Sequence, residues 1–184
     1  MSKVYFTSDL HFGHTNLCRN LRHMEPDVCD NMIIDNWNSL ITKHDTVYVL
    51  GDLTLDNPKY MMECLGRLNG SIVVIGGNHD TRKCCEAITG AGIKLMGCLE
   101  YKGYICTHIP IHPSILAREN FLGNIHGHIH LPGDIEYEGG MVRYEPIADF
   151  GGRYYNVNTE FHNYTPVAFK EIDCIMAERR KLLN

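Results

Sequence analysis

No apolar run in this chain is long enough to cross a bilayer, and the N-terminus carries no basic segment followed by an apolar stretch; neither a membrane anchor nor a secretory leader is expected. No Pro/Gly/Ser linker, internal repeat or low-complexity tract divides the 184 residues. They read as one domain over residues 1–184, long enough to bury a core without disulfides. Positive charge is not in excess: 17 Lys and Arg stand against 22 Asp and Glu, a formal net charge of -5. That balance argues against a protein that holds nucleic acid by neutralising many phosphates, so stable nucleic-acid binding is not expected, although bound cations would make a local positive spot this count misses. The eight cysteines, Cys18, Cys29, Cys64, Cys84, Cys85, Cys98, Cys106 and Cys174, show no repeated spacing and no Cys-x-x-Cys pair. Several lie inside apolar patterns, as reduced and buried thiols do. Free thiols and the missing leader together point to the cytoplasm.

Five short apolar runs are present, and each leads straight into a residue able to ligate a metal. Val4 to Ser8 delivers Asp9 and His11. Val47 to Gly51 delivers Asp52, and Ile72 to Gly77 delivers Asn78, His79 and Asp80. Tyr104 to Thr107 leads to His108, and Asn124 to Gly127 leads to His128 and His130. One such junction means little, because a polar residue after a buried strand is where the strand stops. Five in series point to a site.

Between these runs the spacing turns helical. Ile33, Trp37, Leu40 and Ile41 share a face after a start at Pro26-Asp27, and Asn57-Pro58 opens a second helix with Met61, Leu65 and Leu68 on one side and a stop at Asn69-Gly70. Thr81 to Thr89 is a third, placing Asn78 to Asp80 at a strand-to-helix turn. The second half is richer in strand: Leu99 to Thr107 turns at Lys102-Gly103, Tyr137 to Tyr144 surrounds Gly139-Gly140, and Tyr154 to Asn158 follows. Glu171 to Leu183 closes the chain as a helix. Alternating strands and helices call for a covered sheet whose ligands gather beyond the strand carboxyl ends. The expected fold is α/β, two mixed β-sheets packed as a sandwich flanked by helices in an α/β/β/α order.

The motifs Asp9-Leu10-His11, Gly51-Asp52, Gly77-Asn78-His79-Asp80, Thr107-His108 and Gly127-His128-Ile129-His130, in that order, resemble those of calcineurin-like metallophosphoesterases. The resemblance implies two divalent ions, one held by Asp9, His11 and His130, the other by Asn78, His108 and His128, with Asp52 bridging. A carboxylate between two cations lowers their repulsion, while imidazoles and an amide complete each shell without further negative charge. A water shared by the ions would lose a proton near neutral pH and attack phosphorus in line with the leaving oxygen. His79 is then expected to face the substrate and protonate the leaving group, with Asp80 orienting its ring. A mixed nitrogen and oxygen shell suits manganese, iron, zinc or nickel better than magnesium, and manganese is favoured. Ligand histidines bind only when neutral, so activity should fall as pH drops through roughly 6 to 5.

Other features carry less. His23, His44, His126 and His162 read as hydrogen-bonded or surface residues. His14 and Asn16, in a loop expected to overhang the ions, and His112, between two prolines, are candidates for substrate contact. Asp56 reads as helix initiation, Gly139-Gly140 and Gly151-Gly152 as turns, and Arg179-Arg180-Lys181 as a solvated helix end. Protein phosphatases of this superfamily carry an arginine after the second motif and a glutamate closing the third; here no arginine is near Asp52, and Asp80 closes the third. Few cations besides the ions remain to hold a doubly charged phosphate, so a phosphodiester, nucleotide or cyclic-nucleotide-like, is the expected small substrate. The alternatives are a phosphomonoesterase or protein phosphatase of the same superfamily, or a metal-binding regulatory module without catalysis.

Overall fold

The structure, a computed structural model, describes residues 2–55, 57–118, 121–137, 140–144 and 152–182. The strands are β1 (Val4–Thr7), β2 (Thr46–Val49), β3 (Ser71–Ile75), β4 (Lys94–Met96), β5 (Leu99–Tyr101), β6 (Tyr104–Cys106), β7 (Gly123–His126), β8 (Gly133–Tyr137), β9 (Gly140–Tyr144), β10 (Tyr154–Asn156) and β11 (Val167–Ala168). The helices are α1 (Pro26–Leu40), α2 (Pro58–Leu65), α3 (Arg82–Gly90), α4 (Pro113–Arg118) and α5 (Phe169–Leu182), joined by a π turn at Leu17–Leu21 and a 3-10 turn at Thr159–His162.

One main sheet runs β11-β1-β2-β3-β4 and the other β10-β7-β6-β5, while β8 and β9 form a separate antiparallel pair. In the first, β1 to β4 are parallel and β11 is antiparallel; in the second, β10, β7 and β6 are parallel and β5 is antiparallel. Both sheets are therefore mixed, as the motif order implied. Alternation along the strands separates two cores. Tyr5, Val47, Val49 and Val74 pack with Ile33, Ile34 and Trp37 of α1, Met61 and Leu65 of α2 and Ile88 of α3. Phe6 and Ile75 point the other way, toward Tyr104, Cys106, Ile125 and Tyr155 of the second sheet, and α5 contributes Phe169, Ile172 and Met176 to that layer. Phe6 touches the rings of Tyr48, Tyr101 and Phe169 at centroid separations of 5.1, 5.6 and 6.1 Å.

Local chemistry explains the element ends. Pro26 opens α1, Asn57 caps α2 by accepting from the Tyr60 amide at 3.1 Å, and Thr81 precedes α3. Helix α2 stops at Leu65, short of the expected Asn69-Gly70, because Gly66 follows and the Arg67 and Leu68 amides bond back only three residues, to Cys64 and Leu65. Leu68 still packs on the core from this tightened turn. Lys102 and Gly103 have φ of 48° and 83°, the paired left-handed values of a two-residue hairpin between β5 and β6. Helix α5 starts two residues before the expected Glu171, since Phe169 turns inward directly from β11. Its basic end is not merely solvated: Arg179 donates to the Tyr154 carbonyl at 2.9 Å and Arg180 to the Tyr104 hydroxyl at 2.8 Å, clamping the helix to the second sheet. Of the expected features, Asp56, Gly139, Gly151 and Leu183 lie outside the described residues.

Because Phe6 is fully buried where the two sheets meet, Phe6→Ala should lower unfolding free energy by about 3–5 kcal/mol. Urea denaturation checks this, and a loss under about 1 kcal/mol would contradict the sandwich packing described here.

Candidate metal centre

The strands β1, β2, β3, β6 and β7 all present their carboxyl ends on one rim, and the loops that follow them are stitched together by the backbone. After β1, the amides of Asp9, His11 and Phe12 donate to the carbonyls of Gly51, Asp52 and Leu53 after β2, at 2.8–3.0 Å. The Gly127 amide donates to the His108 carbonyl at 2.9 Å, and the His128 amide to Asp9 Oδ2 at 2.9 Å. Two glycines permit this closeness: a Cβ on Gly77 would collide with the Asp52 carboxylate and lie 2.5 Å from its amide nitrogen, and one on Gly127 would collide with Ser8 and lie 2.6 Å from Asp9 Oδ2. The chain pays for the arrangement in backbone strain, since Asp9, His11, Asp52 and His128 all have φ between 50° and 69°.

Asp80 does not orient His79 as expected. Its carboxylate accepts instead from the amides of Asp52 at 3.0 Å, Gly77 at 2.8 Å and Leu53 at 3.0 Å. Adjacent side chains diverge at this turn, so Asp80 braces the loop that carries Asp52, while the His79 amide donates to Asp52 Oδ1 at 2.9 Å.

Within this frame two clusters form. Ligand atoms of Asp9, His11 and His130 lie within 4.8 Å of one another, as do those of Asp52, His108 and His128. Asp52 stands between them, with Oδ2 3.2 Å from His108 Nε2 and 3.7 Å from His11 Nε2. Asn78 Oδ1 lies 2.8 Å from His108 Nε2. The chemistry of these contacts calls for a cation. His108 Nδ1 faces the Leu50 carbonyl at 2.7 Å, which can only accept, so Nδ1 carries a proton and Nε2 is the nitrogen turned toward two acceptor oxygens. Asp9 Oδ1 and both ring nitrogens of His11 are buried without a hydrogen-bond partner. Orphaned acceptors of this kind in a dry site fit divalent ions. A third buried group, Cys18, Cys29 and Asp30, has similar spacing, but Arg22 Nη1 donates to Cys29 Sγ at 3.6 Å, and that fixed positive charge opposes a cation.

The expected substrate contacts separate on inspection. His14 lines a recess of about 230 Å³ with His11, Leu17, Leu21, Asp52, His79, His128 and His130. Asn16 is exposed outside that lining, at the head of the π turn. His112 is also outside it, with Nδ1 accepting from the Ser114 amide at 3.2 Å in the first turn of α4. A larger surface recess of about 910 Å³, between Ser2–Tyr5 and residues 161–171, contains none of the motif residues. Sequence reasoning missed Leu17 and Leu21 on the recess wall, and also Glu160 and Arg22. Glu160 Oε1 accepts from His130 Nδ1 at 2.8 Å and Arg22 Nε at 3.0 Å. The available signal was positional: Asn158 to Glu160 follows β10, a strand parallel to β7, just as the other motifs follow theirs.

Charge and burial tune the histidines in opposite directions. Burial pushes His11 well below the usual imidazole value and lowers His128. Burial also opposes protonation of His108, but its hydrogen bond to Asp52 and the charges of Asp9 and Asp52 outweigh that and raise it. His130 is raised in the same way, burial being overcome by Glu160 and Asp9.

A family model described as calcineurin-like phosphoesterase matches residues 2–180. An uncharacterized protein of Methanocaldococcus jannaschii is 33% identical over 174 residues, covering 91% of this chain and 88% of that one. The Gene 66 protein of Mycobacterium phage L5 is 39% identical over 85 residues, 44% of this chain and 41% of that one. Among solved structures, a protein of unknown function from Aquifex aeolicus superposes with a TM-score of 0.73 at 27% identity, covering 95% of this chain and all of that one.

Two outcomes are expected from this geometry. Asp80→Asn replaces an acceptor oxygen with a donor opposite backbone N–H groups, and should cost about 1–3 kcal/mol by urea unfolding together with weakened metal binding; unchanged values for both would remove the bracing role. Imidazole binds metal only when neutral, and His108 and His130 hold their protons to higher pH than an ordinary histidine. Metal uptake should therefore release protons and weaken as pH falls, starting above the ordinary imidazole value of about 6.5, by up to about tenfold per pH unit for each histidine that must deprotonate. Calorimetric metal titrations at several pH values check this, and a pH-independent affinity would contradict it.

Proposed function

The chain belongs to the calcineurin-like phosphoesterase family, and from that membership we propose that it is a cytoplasmic, metal-dependent phosphodiesterase of one domain over residues 1–184, acting on a nucleotide or cyclic-nucleotide-like substrate. The family generally binds two divalent metals. Here Asp9, His11 and His130 would hold one ion and Asn78, His108 and His128 the other, with Asp52 shared, manganese being the first choice. The observation that carries this reading is the pair of adjacent clusters, Asp9 with His11 and His130 and Asp52 with His108 and His128, in which Asp9 Oδ1 and the His11 ring nitrogens are buried without a partner. When bound, such ions supply Lewis acidity to a phosphoryl oxygen and lower the pKa of a water toward neutrality.

The chain's own residues supply the rest. His79 lines the recess with its ring centroid 5.6 Å from that of His11, and in this reading it donates a proton to the departing oxygen. Among the described residues, no lysine or arginine lines the recess. Histidines and the ions are then the positive complement of that lining, which favours a singly charged diester over a doubly charged monoester. Leu17 and Leu21, side by side on the π turn, give an apolar wall for the ester group that does not react. A volume of about 230 Å³ falls below the usual range of about 300–1,000 Å³ for small-molecule sites, so the phosphate enters and the bulk of the substrate rests on the rim. The helices leave no membrane path: none among the described residues is long and apolar enough to cross a bilayer.

The test compares wild type, chelator-treated protein and His79→Ala on bis(p-nitrophenyl) phosphate, p-nitrophenyl phosphate and cyclic nucleotides. Wild type should hydrolyse the diester in preference to the monoester and lose activity with the metal. His79→Ala should retain metal and lose about 10²–10⁴-fold in turnover. Preference for the monoester would overturn the diester assignment, and metal binding without turnover on any of the panel would favour a regulatory module.

A further inference from the structure

We propose that Glu160 is a positioning residue that orients His130 for the ion of the Asp9 cluster, with Arg22 as its fixed counter-charge; this rests on the metal-centre reading above. The Glu160 side chain is 1% exposed and that of Arg22 0%. Both carboxylate oxygens are engaged: Oε1 accepts from His130 Nδ1 and Arg22 Nε, and Oε2 from the Leu131 amide at 3.2 Å. A carboxylate only accepts, so His130 carries a proton on Nδ1 and turns Nε2, the nitrogen left to bind an ion, toward Asp9 Oδ1, 3.6 Å away.

Arg22 completes the link from the far side. Its Nη2 donates to the Asp9 carbonyl at 2.6 Å and its Nη1 to the Leu10 carbonyl at 3.0 Å. One buried ion pair thus fixes His130, from the fifth motif, and the left-handed backbone of Asp9, from the first. The second cluster is built differently: the acceptor behind His108 is the neutral Leu50 carbonyl. An anion behind an imidazole makes its other nitrogen a stronger donor to a metal than a carbonyl does, so the two ion positions differ in their dependence on a single side chain.

The experiment loads metal-free wild type, Glu160→Gln and His130→Ala with Mn²⁺ alone and follows binding by calorimetry and by electron paramagnetic resonance. Wild type should take two ions. Glu160→Gln should weaken one of them about 10–100-fold and leave the other within about threefold. Combining Glu160→Gln with His130→Ala should add no further loss at the weakened position. A wild type that takes up no metal overturns this proposal together with the functional reading. Two-ion binding by Glu160→Gln at wild-type affinity overturns the proposal alone, as does equal weakening of both ions, the mark of a merely structural role. Nitrogen NMR of the zinc-loaded wild type needs no variant: His130 should show its proton on Nδ1, and a proton on Nε2 would refute the proposal even if Glu160→Gln fails to fold.

Discussion

Two carboxylates in near-complete burial, Asp9 and Asp52, lie within 3.8 Å of the same His11 nitrogen, and most of the structure follows from what that costs. A buried anion is tolerable only beside compensating charge, and a pair of them cannot be held by neutral imidazoles alone. The surrounding amides of His79 and His128 and the Ser8 hydroxyl take up part of the demand. What they leave over, orphaned oxygens and nitrogens facing one another, is the need that a pair of cations meets.

The sandwich supplies the rigidity for this. Parallel pairing of β1, β2 and β3 aligns three carboxyl ends, parallel pairing of β6 and β7 aligns two more, and the shared core around Phe6 sets one row against the other. Ligands thus come from rigid strand ends rather than from mobile loops, and the loops that remain are cross-linked by main-chain bonds and by the Asp80 carboxylate. Two elements add shape without adding ligands: the π turn lays Leu17 and Leu21 over the recess, and β8, which begins three residues after His130, packs against that turn.

Much of this was legible in the order of residues. Short apolar runs followed by Asp, Asn or His mark strand ends whether or not the helices between them are read well, and the five runs do end on one rim. Helix starts were readable from Pro26, Asn57 and Thr81 because caps are local chemistry. The end of α2 was not, because Gly66 and Asn69-Gly70 are equivalent stop signals until packing selects between them. Asp80 misled because neighbours in sequence are not neighbours in space at a tight turn. Glu160 is marked only by its place just after β10, and Arg22 not at all: a lone buried charge has no periodicity, and its meaning comes from a partner far along the chain.

The left-handed backbone at Asp9, His11, Asp52 and His128 also says something about engineering this protein. Glycine at any of those positions would relax the chain and delete a donor atom, so thermal robustness and metal capture pull the same residue in opposite directions. A version selected only for heat resistance would be drawn toward losing its chemistry first at these four points, well before its sheets or helices were touched.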